Sequence, residues 1–387
     1  MFKVLIVGCG NMGASHALAY TKMSNCKIVG IVAPSAGRRA LLAQKLHDLN
    51  IEVNQYDDFF KALNTEKPDI VCIASYSETH ADYAIAAMEF GSHVFLEKPI
   101  ATNLDDAHRV FAVAKRTKKK LVIGLILRHH PSWQKFIEIS HSLGKPLVMR
   151  MNLNQQSSGS HWQTHCKLME SLSPLVDCGV HYVDIMCQMT RSKPVKVYAT
   201  GARLANNVAV DNYGMLQLTF ADGSVGWYEA GWGPMISTNA YFIKDVIGPE
   251  GCASIVPNKE SLSDSSNVDS HTAAENILLH HSGLNPKGEF IKKDDLICLD
   301  DEPDHLELCL REQNYLLNAI INDVDLTSHI QGSIESLAIV LAADNKNWTS
   351  GDARELNHCI LLFRLSFRRR PESIKSLDLR LIFRMGC

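Results

Sequence analysis

The sequence predicts an α/β protein in two parts: a doubly wound parallel sheet with helices on both faces, then an α+β domain on a mostly antiparallel mixed sheet. Three observations carry this. Short β-branched runs alternate with helical patterns over the first 127 residues; after Arg128 the pattern changes to long strands joined by tight turns; and a glycine-rich turn stands at the first strand-to-helix junction. At 387 residues the chain is too long for one ordinary core, which suits a first domain at 1–128, a second at 129–350 and a basic tail at 351–387.

Taken in order, 4–7, 28–32, 70–74, 94–96 and 121–127 read as strands, and 13–23, 38–48, 57–63, 78–90 and 104–118 as helices. Strict alternation of this kind needs crossover helices and so a parallel sheet. Pro131 opens a helix over 131–142, and a strand follows at 147–153. A polar stretch, 154–165, precedes a helix that Ser173 caps and Pro174 starts. Strands at 195–205, 213–220 and 224–231 follow, the last two joined by the turn Ala221-Asp222-Gly223. The Ser/Asn/Asp-rich 257–275 reads as a mobile excursion, and 306–321 and 333–343 as amphipathic helices.

Composition narrows the function classes. Hydrophobic residues at 46% and charged residues at 21% argue against a disordered or fibrous chain. A net charge of −3 gives no field for nucleic acid or a membrane, so neither is expected as a partner. The exception is 364–387, where seven basic groups face only Glu372 and Asp378. MFKVLIVGCG runs straight into a strand pattern without the features of a signal peptide, and no apolar run approaches the ~18 residues of a membrane span. Eleven cysteines without any CxxC fit reduced thiols. A cytoplasmic protein without a metal site is expected; His129-His130 reads as a plain turn.

Gly8-Cys9-Gly10-Asn11-Met12-Gly13 is a GxGxxG turn in the strand-to-helix context that gives the pattern meaning. Gly8 permits the tight turn, Gly10 lets the backbone approach a pyrophosphate, and Gly13 lets helix and strand pack closely, while Asn11 and Met12 open the helix whose N-terminus faces the phosphates. This is a Rossmann-type dinucleotide site. A carboxylate after the second strand would read an adenosine ribose, but here the chain runs Val32-Ala33-Pro34-Ser35-Ala36-Gly37-Arg38-Arg39. Ser35 can donate to a 2′-phosphate and Arg38 or Arg39 can pair with it, so NADP is favoured over NAD.

Two further motifs bear on chemistry. Glu97-Lys98-Pro99 follows a parallel strand, whose carboxyl end faces the ligand crevice. Asp177, His181 and Asp184 fall at i, i+4 and i+7 of an otherwise apolar helix and are expected to line one face. Oxidising a secondary alcohol requires a base for the O–H proton, which histidine suits, and a cation such as Lys98 for the developing alkoxide.

Together, Gly8-x-Gly10-x-x-Gly13, Glu97-Lys98-Pro99 and Asp177-x-Gly179-x-His181-x-x-Asp184 resemble the glucose-fructose oxidoreductase / inositol dehydrogenase / rhizopine catabolism (Gfo/Idh/MocA) family, in order and spacing over about residues 1–345. The resemblance implies an open-faced second sheet that joins subunits into a homodimer or homotetramer, and hydride transfer to or from a carbon of a sugar, cyclitol or polyol. It implies Lys98, Asp177 and His181 as the catalytic set: His181 as acid/base, Lys98 stabilising alkoxide and relaying a proton, Asp177 binding substrate. It also implies a cis Lys98–Pro99 bond and cofactor contacts from Glu97 and Lys98. The family's usual Thr-Pro-Asn-x-x-His is here Ser75-Tyr76-Ser77-Glu78-Thr79-His80, with Ser75 and His80 kept as expected cofactor contacts. Arg128, His161 and Trp162 are expected to join Lys98, Asp177 and His181 around the substrate; His161, Trp162 and His165 lie where the second domain would approach the nicotinamide. Relatives of the same fold suggest a tightly held cofactor serving glycoside cleavage or sugar-to-sugar hydride exchange as one alternative, and a non-catalytic cofactor-sensing scaffold is another.

Overall fold

The structure, a computed structural model, describes residues 1–237, 243–256, 274, 276–299, 302–344 and 354–355. The first domain runs β1 (Phe2–Val7), α1 (Asn11–Thr21), β2 (Cys26–Val32), α2 (Ala36–His47), β3 (Asn54–Tyr56), α3 (Phe59–Glu66), β4 (Ile70–Ile73), α4 (His80–Phe90), β5 (His93–Glu97), α5 (Leu104–Thr117) and β6 (Leu121–Gly124). All pairings among its strands are parallel, in the six-strand order β3-β2-β1-β4-β5-β6. The order in which strands are added reverses between β1 and β4, which opens a crevice at their carboxyl ends. Burial on both faces explains the continuous apolar runs: every residue of β4 and β6 is buried. The helices are set by local signals. Asn103 caps α5 through its side chain, Asp105 and Asp106 sit in its first turn, and Lys115 and Arg116 in its last, each complementing the helix dipole.

The sequence pattern misses β3, a three-residue edge strand of polar residues with no alternation to read. The strand expected over 121–127 stops at Gly124, and a 3-10 turn, Ile126–His129, leads to α6 (Pro131–Ser140).

The second domain contains β7 (Val148–Gln156), α7 (Gly159–Leu168), α8 (Pro174–Asp177), α9 (Gly179–Thr190), β8 (Pro194–Ala202), β9 (Tyr213–Phe220), β10 (Val225–Gly233), β11 (Lys244–Gly248), β12 (Gly251–Val256), β13 (Asn276–His281) and β14 (Asp295–Cys298). With β15 (Arg354–Glu355) they form a nine-stranded sheet, β14-β13-β12-β11-β7-β10-β9-β8-β15. Among the described residues of this sheet only β7 and β10 pair in parallel, so the mixed, mostly antiparallel expectation holds, with the β9–β10 hairpin in place. Within the polar stretch the chain forms α7 rather than an irregular loop. The excursion at 257–275 lies, apart from Ala274, outside the described residues, as does the tail apart from β15.

Two helices, α10 (His305–Ile321) and α11 (Thr327–Ala343), return to the first domain. Leu316 and Leu317 of α10 share a buried cluster with Ala17 and Tyr20 of α1, and His329 of α11 accepts the Ile123 N–H of β6 at 2.9 Å. Residues numbered with the second domain therefore complete the cover of the first. No helix among the described residues is long and apolar enough to cross a membrane.

Candidate active site

The glycine loop occupies the crevice between β1 and β4. Gly8 has φ +103°, which side-chain-bearing residues rarely adopt, and a Cβ there would stand 2.2 Å from the Ala74 carbonyl oxygen. A Cβ on Gly13 would stand 1.9 Å from the Gly8 oxygen, so helix and turn pack without room for a methyl group. Gly10 differs: the nearest atom to its would-be Cβ is Nη1 of Arg38, at 3.5 Å. Its lack of a side chain leaves open space above the loop. Gly10 also starts α1 without any side-chain cap, so the helix N-terminus, with Asn11 and Met12 in its first turn, keeps N–H groups for a ligand. The loop fits a dinucleotide pyrophosphate.

At the end of β2, Ser35 caps α2, its Oγ accepting the Arg38 N–H at 3.4 Å. Arg39 is tied to the Ala33 and Pro34 carbonyls, whereas Arg38 leans over the loop. Ser75 borders the turn at the end of β4, its hydroxyl 2.7 Å from that of Thr79. Two expected cofactor contacts have side chains engaged within the protein. His80 is 1% exposed, and its ring nitrogens face the carbonyls of Pro99 at 2.8 Å and Ser75 at 3.0 Å, so it braces the Lys98 turn. Glu97 points into the protein, Oε1 lying 2.7 Å from His16 Nε2.

Lys98 follows β5 and precedes a cis bond to Pro99. Its Nζ donates to Oδ2 and to the backbone oxygen of Asp177, both at 3.0 Å, which joins the two domains at this point. Burial would lower the Lys98 pKa, but Asp177 and Glu97 more than offset it, so the ammonium is favoured. His181 is driven to about 4, by burial first and by Lys98 second, and its Nδ1 is buried without a hydrogen-bond partner. The result is a charged amine held against a carboxylate and a neutral imidazole within electrostatic reach of both.

The single helical stripe of Asp177, His181 and Asp184 is also corrected. The helix breaks at Cys178, where α9 starts on Gly179; a Cβ there would lie 3.1 Å from the Tyr228 ring. Asp184 takes a bidentate bond from Arg128, at 2.8 and 2.5 Å, with Gln188 and Ser336 also bound to it. Arg128, expected at the substrate, is therefore engaged structurally, its Nη1 also reaching His329.

On α7, His161 is exposed and Trp162 half-buried against the core. The sequence reading underweighted His165. Its ring stacks on Trp232 at 4.3 Å and 11°, and its Nδ1 lies 3.0 Å from the Ser157 hydroxyl. Burial lowers it to about 4, with the charge of Asp177 opposing. Trp232 Nε1 donates to Gln155 Oε1 at 2.7 Å, and the Cys178 thiol approaches the same oxygen at 3.8 Å, so this wall is continuous with Asp177. The spacing of His161 and His165 by four was the available signal, hidden because the stretch lacks a clear apolar stripe.

Comparison with known proteins agrees with this geometry. The family model described as an oxidoreductase family with an NAD-binding Rossmann fold (GFO_IDH_MocA) matches residues 2–125, and the GFO/IDH/MocA C-terminal domain matches 136–241. Inositol 2-dehydrogenase of Salmonella typhimurium is 30% identical over 203 residues, 51% of this chain and 57% of that protein, so the match spans little more than half of the relative's length. The NAD(+)-dependent scyllo-inositol 2-dehydrogenase of Bacillus subtilis is 26% identical over 257 residues, 64% of this chain and 71% of that one. In fold, the chain is similar to scyllo-inositol dehydrogenase from Lactobacillus casei, solved with NAD(H) and scyllo-inositol, with TM-score 0.69, 20% identity and coverage of 92% of this chain and 99% of that one. With both domain models matched in order and the glycine loop, Lys98 turn and Asp177–His181 segment in place, the chain belongs to the Gfo/Idh/MocA oxidoreductase family.

Proposed function

We propose that this chain is a nicotinamide-dependent oxidoreductase acting on a hydroxyl-bearing carbon of a cyclitol, sugar or polyol. The observation that carries the reading is the Lys98–Asp177 contact at 3.0 Å, beside His181 and at the carboxyl end of the sheet that holds the glycine loop. When bound, the nicotinamide accepts or supplies the hydride. His181, neutral at physiological pH, takes up the substrate O–H proton as the C–H bond breaks. Lys98 holds its positive charge against the developing alkoxide, and Asp177 fixes the amine and offers a carboxylate to a neighbouring hydroxyl. His165, backed by the buried Trp232, and the edge of α7 with His161 and the half-buried Trp162 form the substrate wall; a ring face beside carboxylate and imidazole suits a polyhydroxylated ring. The substrates named for the inositol dehydrogenase relatives are of this kind.

NADP is the favoured cofactor, because no carboxylate follows β2 and Arg38 lies over the loop where a 2′-phosphate would be held. Assembly through the open face of the second sheet is supported by Val148, Tyr198, Ile247, Val256 and Leu296, apolar residues at least a third exposed on strands of that sheet.

The test is a panel of inositols, linear polyols and nucleotide sugars with either dinucleotide, followed at the absorbance of reduced nicotinamide. Turnover on at least one cyclic polyol or sugar is expected; turnover only when the cofactor is neither added nor released would favour the tight-cofactor alternative.

A further inference from the structure

A buried polar chain that the proposed chemistry leaves unused lies beneath the Lys98 turn. Tyr20 and His16 come from α1, Gln313 from α10 and Glu97 from the end of β5, and none is more than 6% exposed. The Tyr20 hydroxyl donates to Gln313 Oε1 at 2.5 Å, and Gln313 Nε2 lies 3.0 Å from His16 Nδ1. His16 Nε2 lies 2.7 Å from Glu97 Oε1, and Glu97 Oε2 accepts the Lys98 backbone N–H at 3.2 Å.

These contacts have a direction. With the amide oxygen held by Tyr20, its NH₂ faces His16, and an NH₂ can only donate. Nδ1 must then accept, so the ring proton sits on Nε2, where it donates to Glu97. The reversed amide would present an oxygen and put a proton on Nδ1 instead. Glu312, one residue before Gln313, has no partner for either carboxyl oxygen; burial, and then the charge of Glu97, raise it well above the carboxylate range. It stands as a neutral acid, and the negative charge of the network rests on Glu97, beside Lys98. Cys26, Cys72, Cys309 and His181 are further titratable groups around this cluster. Ligand atoms of His16, Cys309 and Glu312 lie within 4.8 Å of one another, but both His16 nitrogens are already engaged, which argues for a hydrogen-bonded network rather than a metal site.

We propose that Gln313 is a positioning residue: by fixing the tautomer of His16 it aims the Glu97 carboxylate at the base of the Lys98 turn. The helix returning from the second domain thereby sets the geometry of a residue on the first. The importance of that geometry for hydride transfer rests on the proposed function; the tautomer does not.

Long-range ¹H–¹⁵N spectra of the full chain, with the His16 signals assigned by their loss in His16→Gln, read the tautomer directly. At about neutral pH, Nε2 is expected to be protonated and Nδ1 bare; a protonated Nδ1 in the unaltered protein overturns the proposal. Gln313→Met keeps the length and removes the amide. It is expected to lose the single tautomer and to lower kcat about tenfold, the low end of the loss when an outer-shell partner that orients a functional side chain is removed, with dinucleotide Kd unchanged. A folded Gln313→Met with ordinary kcat and tautomer also overturns it. Should that variant not fold, Tyr20→Phe, which removes only the orienting hydroxyl, carries the same two expectations. Absence of turnover in the unaltered protein would defeat the proposed function while leaving the tautomer result to decide this inference.

Discussion

Arg38 and Arg128 show how one residue type takes opposite roles according to its surroundings. Arg128 is nearly buried and spends its planar fork on Asp184; Arg38 is exposed on the first turn of α2 and reaches back over Gly10. Arg38→Ala should therefore weaken NADP by about tenfold, the loss of one charge-assisted contact of ~1.5 kcal/mol, and leave NAD within about twofold. Calorimetric titration with both dinucleotides checks this, and equal losses for the two would remove Arg38 from 2′-phosphate recognition. The sequence discloses Arg38 because its role depends on a neighbour in the same βαβ unit. It hides the partners of Arg128 and Glu97, because Asp184 is 56 residues away and His16 is 81, distances that no local pattern spans. Lys98 and Asp177 are 79 apart and were brought together only by family resemblance.

At the scale of elements, the three loop glycines make a discriminating set. Gly10→Ala meets only an ordinary contact with Arg38, so it should fold and melt like the parent while its new methyl group occupies the approach to the pyrophosphate. Gly13→Ala must push α1 off the turn, an overpacking cost of ~1–3 kcal/mol. Thermal melts with and without dinucleotide separate the two: the first loses ligand-induced stabilisation alone, the second loses stability outright. Equal melting of the apo forms would contradict the packing role of Gly13. Elements with strong periods or caps were legible in the sequence, such as α5 and the β9–β10 hairpin. Those that exist by tertiary consent were not. β3 is three polar residues at a sheet edge, and the Tyr228 ring that crowds Gly179, just after the break at Cys178, comes from a distant strand.

At the scale of the whole molecule, buried histidines couple the fold to pH. Burial lowers His129, His165 and His181 to about 4 and lowers His80 and His329 as well. Unfolding returns each ring to its ordinary value near ~6.5, so between about 4 and that value the unfolded chain holds more protons than the folded one. Stability must rise with pH across that window and fall as acid is added. Unfolding free energies from urea titrations should drop between pH ~7 and ~5, by up to ~1.4 kcal/mol per pH unit for each such ring, and an unchanged free energy would mean that the rings are solvated. Assembly belongs to the same scale: sedimentation velocity should find a dimer or tetramer that Ile247→Lys disperses, and a monomer at micromolar concentration would remove the open face as an interface.

The most direct test of the account is to separate binding from chemistry in Lys98→Ala and His181→Ala, by dinucleotide titration and single-turnover hydride transfer on the same preparations. The site geometry predicts that His181→Ala binds dinucleotide within about twofold of the parent, and that both variants, saturated with dinucleotide, transfer hydride ~10²–10⁴ times more slowly. Turnover at the parent's rate in either variant would contradict the assignment of this site as the place of reaction.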